Sequence, residues 1–123
     1  MHSLATFLLC FALCAISEAH SADAPEKTFT IEIVRGAAPA AQRVLKVEKG
    51  DALRIRITSD APGELHVHGY QLAAPVAAGK PAELAFKAYA TGRYPIEWHA
   101  ADKRGSAAAH RGPPLAALEV HPK

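Results

Sequence analysis

Through most of the chain, apolar residues recur at every second position, the period of a strand with one face buried. Phe29, Ile31 and Ile33 alternate with Thr30 and Glu32, and Val44, Leu45 and Val47 mark a second, shorter strand. Glu48-Lys49-Gly50-Asp51 then reads as a tight turn, with Gly50 able to take a positive φ. Leu53, Ile55 and Ile57 alternate with Arg54, Arg56 and Thr58, the cleanest one-sided pattern in the protein. Residues 59–63 (SDAPG) break that strand, and Leu65-His66-Val67-His68 opens the next. Residues 71–79 are rich in Ala and Pro, and proline cannot donate to a ladder, which predicts a strand at a sheet edge. Ala82, Leu84, Phe86 and Ala88 share one face, and Tyr94, Ile96 and Trp98 share another after Thr91-Gly92. Residues 100–114 lose the pattern before a closing strand at 115–120. The small-residue runs at 37–42 and 105–110 have the composition of single helical turns.

Seven or eight short strands with no amphipathic helix and no repeat predict an all-β fold, a Greek-key β-sandwich. Leu53, Ile55, Ile57, Leu84, Phe86, Tyr94, Ile96 and Trp98 are expected to form most of its core. The 15-residue stretch before the last strand is long for a compact domain, and long connections often carry function.

The first 21 residues stand apart. Residues 4–16 (LATFLLCFALCAI) contain no Lys, Arg, Asp or Glu and have the length of a signal-peptide core rather than a membrane span. Small residues follow, and the expectation is cleavage near residues 19–21, leaving 22–123 as one exported domain, periplasmic or secreted, with no membrane span. The opening Met1-His2-Ser3 departs from this pattern in lacking a basic residue. Cys10 and Cys14 are the two cysteines of the chain, so the processed protein would have neither disulfides nor a thiolate ligand. A core must then hold it together, which about 100 residues allow. The basic residues are scattered without aromatic interleaving, which argues against nucleic acid as a partner.

Histidine is the unusual feature. His66 and His68 lie two apart on a strand, so both imidazoles project from the face opposite Leu65 and Val67. Gly69 lets the chain turn after them, placing the pair near a rim of the sandwich. His99 follows Trp98 where a later strand ends, and His110 lies near the end of the long connection. If consecutive strand ends meet at one rim, these four imidazoles converge and can share a metal ion. The plainer account is a set of solvated surface histidines, which is how His121 reads. Glu64, Glu97 and Asp102 read better as exposed polar residues than as further ligands. A histidine at position 20, were it exposed by cleavage after Ala19, would offer an amine and imidazole chelate for copper.

Residues 47–51 (VEKGD), the alternating strand after them, and a histidine beyond the next turn resemble the first half of a cupredoxin domain. Residues 91–98 (TGRYPIEW) resemble the segment that leads cupredoxins into their metal loop, and His110-Arg111-Gly112 with residues 115–120 resembles the loop's end and last strand. The resemblance implies that His66 stands where the first copper histidine would be and His110 near the loop histidine. Trp98 takes the place of the cysteine, and Pro114 or Leu115 that of the methionine. Residues 66–69 (HVHG) also resemble the HxHG element of multicopper oxidases.

A blue-copper site needs a thiolate, so electron transfer of that type is excluded for the processed chain. No nucleophile elbow, phosphate loop or paired-carboxylate pattern points to an enzyme. The sequence thus points to a copper or other divalent-metal protein using His66, His68, His99 and His110 for carriage, storage or delivery. The competing reading is a metal-free β-sandwich that binds a protein partner in the cell envelope.

Overall fold

The computed structural model describes residues 25–103 and 112–123. Eight strands and two short turns make up its regular structure: β1 (Lys27–Ile33), β2 (Val44–Glu48), β3 (Ala52–Ser59), β4 (Gly63–Val67), β5 (Leu72–Val76), β6 (Ala82–Lys87), β7 (Gly92–Ala100) and β8 (Ala116–His121). Single 3-10 turns occupy Ala40–Gln42 and Ala101–Lys103. The first is the turn expected from the small-residue run at 37–42, whereas the run at 105–110 lies outside the described residues.

The strands form two sheets, ordered β1-β3-β6 and β2-β8-β7-β4-β5. Only β4–β5 and β7–β8 are consecutive neighbours within a sheet, and every other connection crosses from one sheet to the other. This is the all-β sandwich that the period-two pattern predicts. The Ala- and Pro-rich strand β5 lies at an edge, where Pro75 costs no ladder bond on its open side. At the turn before β3, Gly50 has φ +95 and donates its N–H to the Ala88 carbonyl, tying that turn to the end of β6.

The core lies between the sheets. Ile31, Ile33, Leu53, Ile55 and Ile57 enter it from one side and Leu45, Val47, Leu65, Val67, Ile96, Leu118 and Val120 from the other. Half of the residues expected there hold a different place: Leu84, Phe86, Tyr94 and Trp98 are only half-buried and pack against its margin. The reason is positional. Leu84 and Phe86 belong to β6, an edge strand, and Tyr94 and Trp98 lie towards the two ends of β7. Edge position alone does not decide it, since Ile31 and Ile33 of β1 and Leu45 and Val47 of β2 also lie on edge strands and are fully buried.

Two glycines bracket β4. A Cβ on Gly63 would overlap the Trp98 ring, and one on Gly69 would overlap Tyr94. Gly69 also has φ +80, which a side chain resists. The turn it makes is pinned from below. Tyr70 meets Tyr94 edge-on with ring centroids 4.8 Å apart, donates its hydroxyl to the Ala90 carbonyl at 3.0 Å and accepts from the Ala90 N–H at 3.2 Å. Burial pushes the Tyr70 phenol upward, with the Ala90 hydrogen bond opposing it.

Candidate functional site

β4 and β7 are antiparallel neighbours, with Glu64 opposite His99 and His66 opposite Glu97. Each acid therefore faces a histidine across the ladder, and each precedes a histidine by two residues on its own strand. All four point outward, because Leu65, Val67 and Ile96 take the inner face. His68, just beyond β4, continues the row, and its N–H donates to the Pro95 carbonyl at 3.0 Å, which fixes its backbone beside β7.

The side chains form one connected group. His66 Nε2 donates to Glu64 Oε1 along the strand. The His66 ring stacks on His99 with centroids 4.5 Å apart and planes 28° apart, while His66 and His68 are 6.3 Å apart. His99 Nε2 donates to Glu97 Oε2 at 3.1 Å, and His68 Nε2 stands 3.0 Å from the same oxygen. Glu97 is the hub, meeting two imidazoles. The His99 hydrogen bond, and after it the His68 contact, hold its carboxyl below the usual carboxylate range, against burial that pushes it up. The sign follows: the folded state gains from an ionised Glu97 above the ordinary carboxylate range, and that gain is lost as pH falls through its depressed value. His99 is the deepest member at 13% side-chain exposure and His68 the most open at 46%.

Three of the four sequence candidates, His66, His68 and His99, are thus brought together, and His110 lies outside the described residues. The manner of their meeting differs from the expectation of a shared rim. In an antiparallel pair the end of one strand lies beside the start of its neighbour: Val67 is opposite Ile96, and Ala100 is opposite Gly63. His66 and His99 meet as diagonal neighbours on the outer face of the sheet instead. His66 and His99 are consequently presented by ladder-paired backbone, and His68 by a turn whose N–H is tied to the Pro95 carbonyl.

From sequence, Glu64 and Glu97 read as exposed polar residues before auxiliary ligands; in the structure both are half-buried partners of the histidines. The signal was present in the repeated Glu-x-His of residues 64–66 and 97–99. Its meaning depended on knowing that these two strands pair. Asp102 is exposed in the turn after β7, and His121, at the exposed end of β8, lies 3.4 Å from Glu119. A cleft of about 480 Å³ lined by Arg35, Arg43, Trp98, Lys103 and Pro114 reaches the cluster through Glu97 alone.

Imidazole nitrogens and carboxylate oxygens suit divalent first-row metals, and copper heads their affinity order at such donors. In donor chemistry the cluster fits copper. In aim, its Nε2 atoms are turned to carboxylates, and no group of three or more His, Cys, Asp or Glu side chains among the described residues already surrounds one point. Loading a metal therefore requires side-chain rotation on a fixed backbone.

No family model and no curated protein matches the sequence. Solved structures do match. A multicopper oxidase superposes with a TM-score of 0.60 at 24% identity, over 80% of this chain and 43% of its own. A copper nitrite reductase from Nitrosomonas europaea gives 0.60 at 12% identity, over 80% of this chain and 42% of its own. A copper-binding protein, solved in its apo form, gives 0.57 at 11% identity, over 78% of this chain and 88% of its own. The chain spans less than half the length of either enzyme. At these identities the likeness is one of fold, and the fold of this chain is that of a cupredoxin-like β-sandwich domain.

Proposed function

We propose that this domain binds copper through His66, His68 and His99 on the outer face of β4 and β7, for carriage, storage or delivery rather than catalysis. The observation that supports this reading is the gathering of three imidazoles on one sheet face, two of them on the Glu97 carboxylate and the third, His66, stacked on His99 and bonded to Glu64. The copper proteins that share the fold, one of them similar in size to this domain, favour copper among metals of this donor class. Bound copper would supply a redox-active Lewis acid, while the chain's own part is to hold the imidazoles at fixed separation. Export with removal of residues 1–21 belongs to the same reading, and no helix among the described residues is long and apolar enough to cross a membrane.

Calorimetric titration of Cu(II) into the protein and into a His66→Ala/His68→Ala variant tests the reading. One stoichiometric site in the wild type and none in the variant supports it. A His110→Ala arm decides whether the fourth candidate takes part. Copper-loaded protein lacking residues 1–21 should be without an intense thiolate band in the visible, because no cysteine follows Cys14. A second reading has its own support. One nitrogen of each ring, Nε2, already has a carboxylate partner in Glu64 or Glu97 without any metal, as in a self-contained surface network on a module that binds a protein partner. Wild-type protein that takes up no stoichiometric copper would make this the better account.

A further inference from the structure

We propose that Glu97 is the oxygen ligand of this centre, and that the centre is consequently selective for Cu(II) over Cu(I); this rests on the copper reading above. Two donor atoms adjacent on one divalent ion, each roughly 2.0–2.2 Å from it, stand about 2.8–3.5 Å apart. Glu97 Oε2 lies 3.0 Å from His68 Nε2 and 3.1 Å from His99 Nε2. Each nitrogen–oxygen pair thus already has the spacing of neighbours in a coordination sphere. Turning the carboxylate or an imidazole about its side-chain torsions would bring both pairs around one ion without moving the ladder.

Glu64 does not have this standing. Of the three imidazoles, the one it bonds is His66, and it is paired across the ladder at the far end of the row from His68. Glu97 is the carboxylate shared by two imidazoles, His99 on paired backbone and His68 on a turn tied to the Pro95 carbonyl.

Oxidation-state preference follows from donor hardness and charge. Cu(I) selects thiolate and thioether sulfur. No cysteine follows Cys14 and no methionine follows Met1, so every donor in the cluster is nitrogen or oxygen. An anionic oxygen stabilises an ion in proportion to the ion's charge, which favours the divalent state further.

The test titrates Cu(II) by calorimetry, and Cu(I) anaerobically against a chromophoric chelator. The proteins are wild type, Glu97→Gln, Glu83→Gln and His66→Ala/His68→Ala. Glu97→Gln should weaken Cu(II) binding about tenfold or more while changing Cu(I) binding less than about twofold, and Glu83→Gln, on the opposite sheet, should change neither by more than about twofold. Glutamine keeps the shape and one carbonyl acceptor, so a purely structural role would weaken both oxidation states together. The electron paramagnetic resonance spectrum of wild-type Cu(II) protein gives an answer that needs no variant. A carboxylate in the copper plane raises g-parallel and lowers the parallel hyperfine splitting relative to an all-nitrogen plane. An all-nitrogen spectrum, or a Glu97→Gln variant with unchanged Cu(II) affinity, overturns the assignment. If the double histidine variant then still loses copper, the histidine reading survives without Glu97. A wild type that binds no copper at stoichiometry removes both.

Discussion

The two outer faces of this sandwich are built by the same rule and differ in chemistry. On the three-stranded sheet, Arg54 of β3 stands between carboxylates, donating Nε to Glu26 at 2.8 Å and an NH1 hydrogen to Glu83 at 2.7 Å. On the five-stranded sheet, Glu97 of β7 stands between imidazoles. Both are outward rows of opposite polarity placed by period-two alternation and strand pairing. A guanidinium keeps its protons at any pH a protein meets and has no lone pair to offer a metal. An imidazole can give up its proton and ligate. The cation of one face can therefore only neutralise its acids, whereas those of the other have the chemistry of metal ligands once deprotonated. Surface charge pairing alone says little about function; the type of cation in the pair decides it.

The largest expected effect comes from cutting the core beneath each face. Leu65 lies under the histidine row and Ile55 on β3 beside Arg54, and both are fully buried. Truncating either to alanine should cost about 2–5 kcal/mol in denaturant unfolding. The copper consequences should separate. Leu65→Ala, between Glu64 and His66 in the chain, should weaken Cu(II) binding under conditions where it is folded, and Ile55→Ala should leave it unchanged. Equal copper loss in both would mean that the sheets are not energetically separable and would break the comparison.

Replacing His66 and His68 with alanine should have the reverse profile, abolishing copper uptake while shifting metal-free stability by no more than about 1 kcal/mol. A large stability loss in the absence of metal would reassign the imidazoles to the fold. Arg54→Met should be milder still, because exposed ion pairs contribute little. A small change in melting temperature with unaltered copper titration is the expected result, and altered copper binding would show that the faces communicate.

The smallest effect concerns pH away from both rows. Lys27 Nζ lies 2.6 Å from Asp51 Oδ2, and this contact, followed by the Glu48 N–H, holds the Asp51 carboxyl below its usual range. Its contribution is present above about pH 4, the ordinary range of an aspartate, and is lost as pH falls through the depressed folded value. Melting curves of wild type and Asp51→Asn should differ slightly at pH 6 and converge in acid. A gap that persists at pH 2 would assign the effect to the turn geometry rather than to charge.

Much of the architecture was legible because a strand reports its own burial. Leu53, Ile55 and Ile57 alternate with polar residues, and that pattern needs no knowledge of a partner strand. The edge position of β5 was legible from Pro75, which cannot serve a ladder on both sides. The core's composition was less so, since Leu84 and Phe86 have the same alternation as Ile55 and yet sit at the margin. Alternation says which face is apolar, and it cannot say how completely that face is covered: Ile31 of edge strand β1 is fully buried and Leu84 of edge strand β6 is not.

The histidine site divides in the same way. By itself the sequence determined that His66 and His68 share a face, that no sulfur ligand exists beyond residue 14, and hence that any centre is one of nitrogen and oxygen. Those are local or compositional facts, set by the two-residue repeat of a strand and by counting. Only the tertiary structure decided that β4 lies beside β7 in a register putting Glu97 opposite His66 and Glu64 opposite His99. Pairing between segments some thirty residues apart is chosen by the packing of Leu65, Val67 and Ile96 into a common core. A slip of one residue would have turned the histidines of one strand to the opposite face, so the site exists because burial of the inner residues fixes the register of the outer ones.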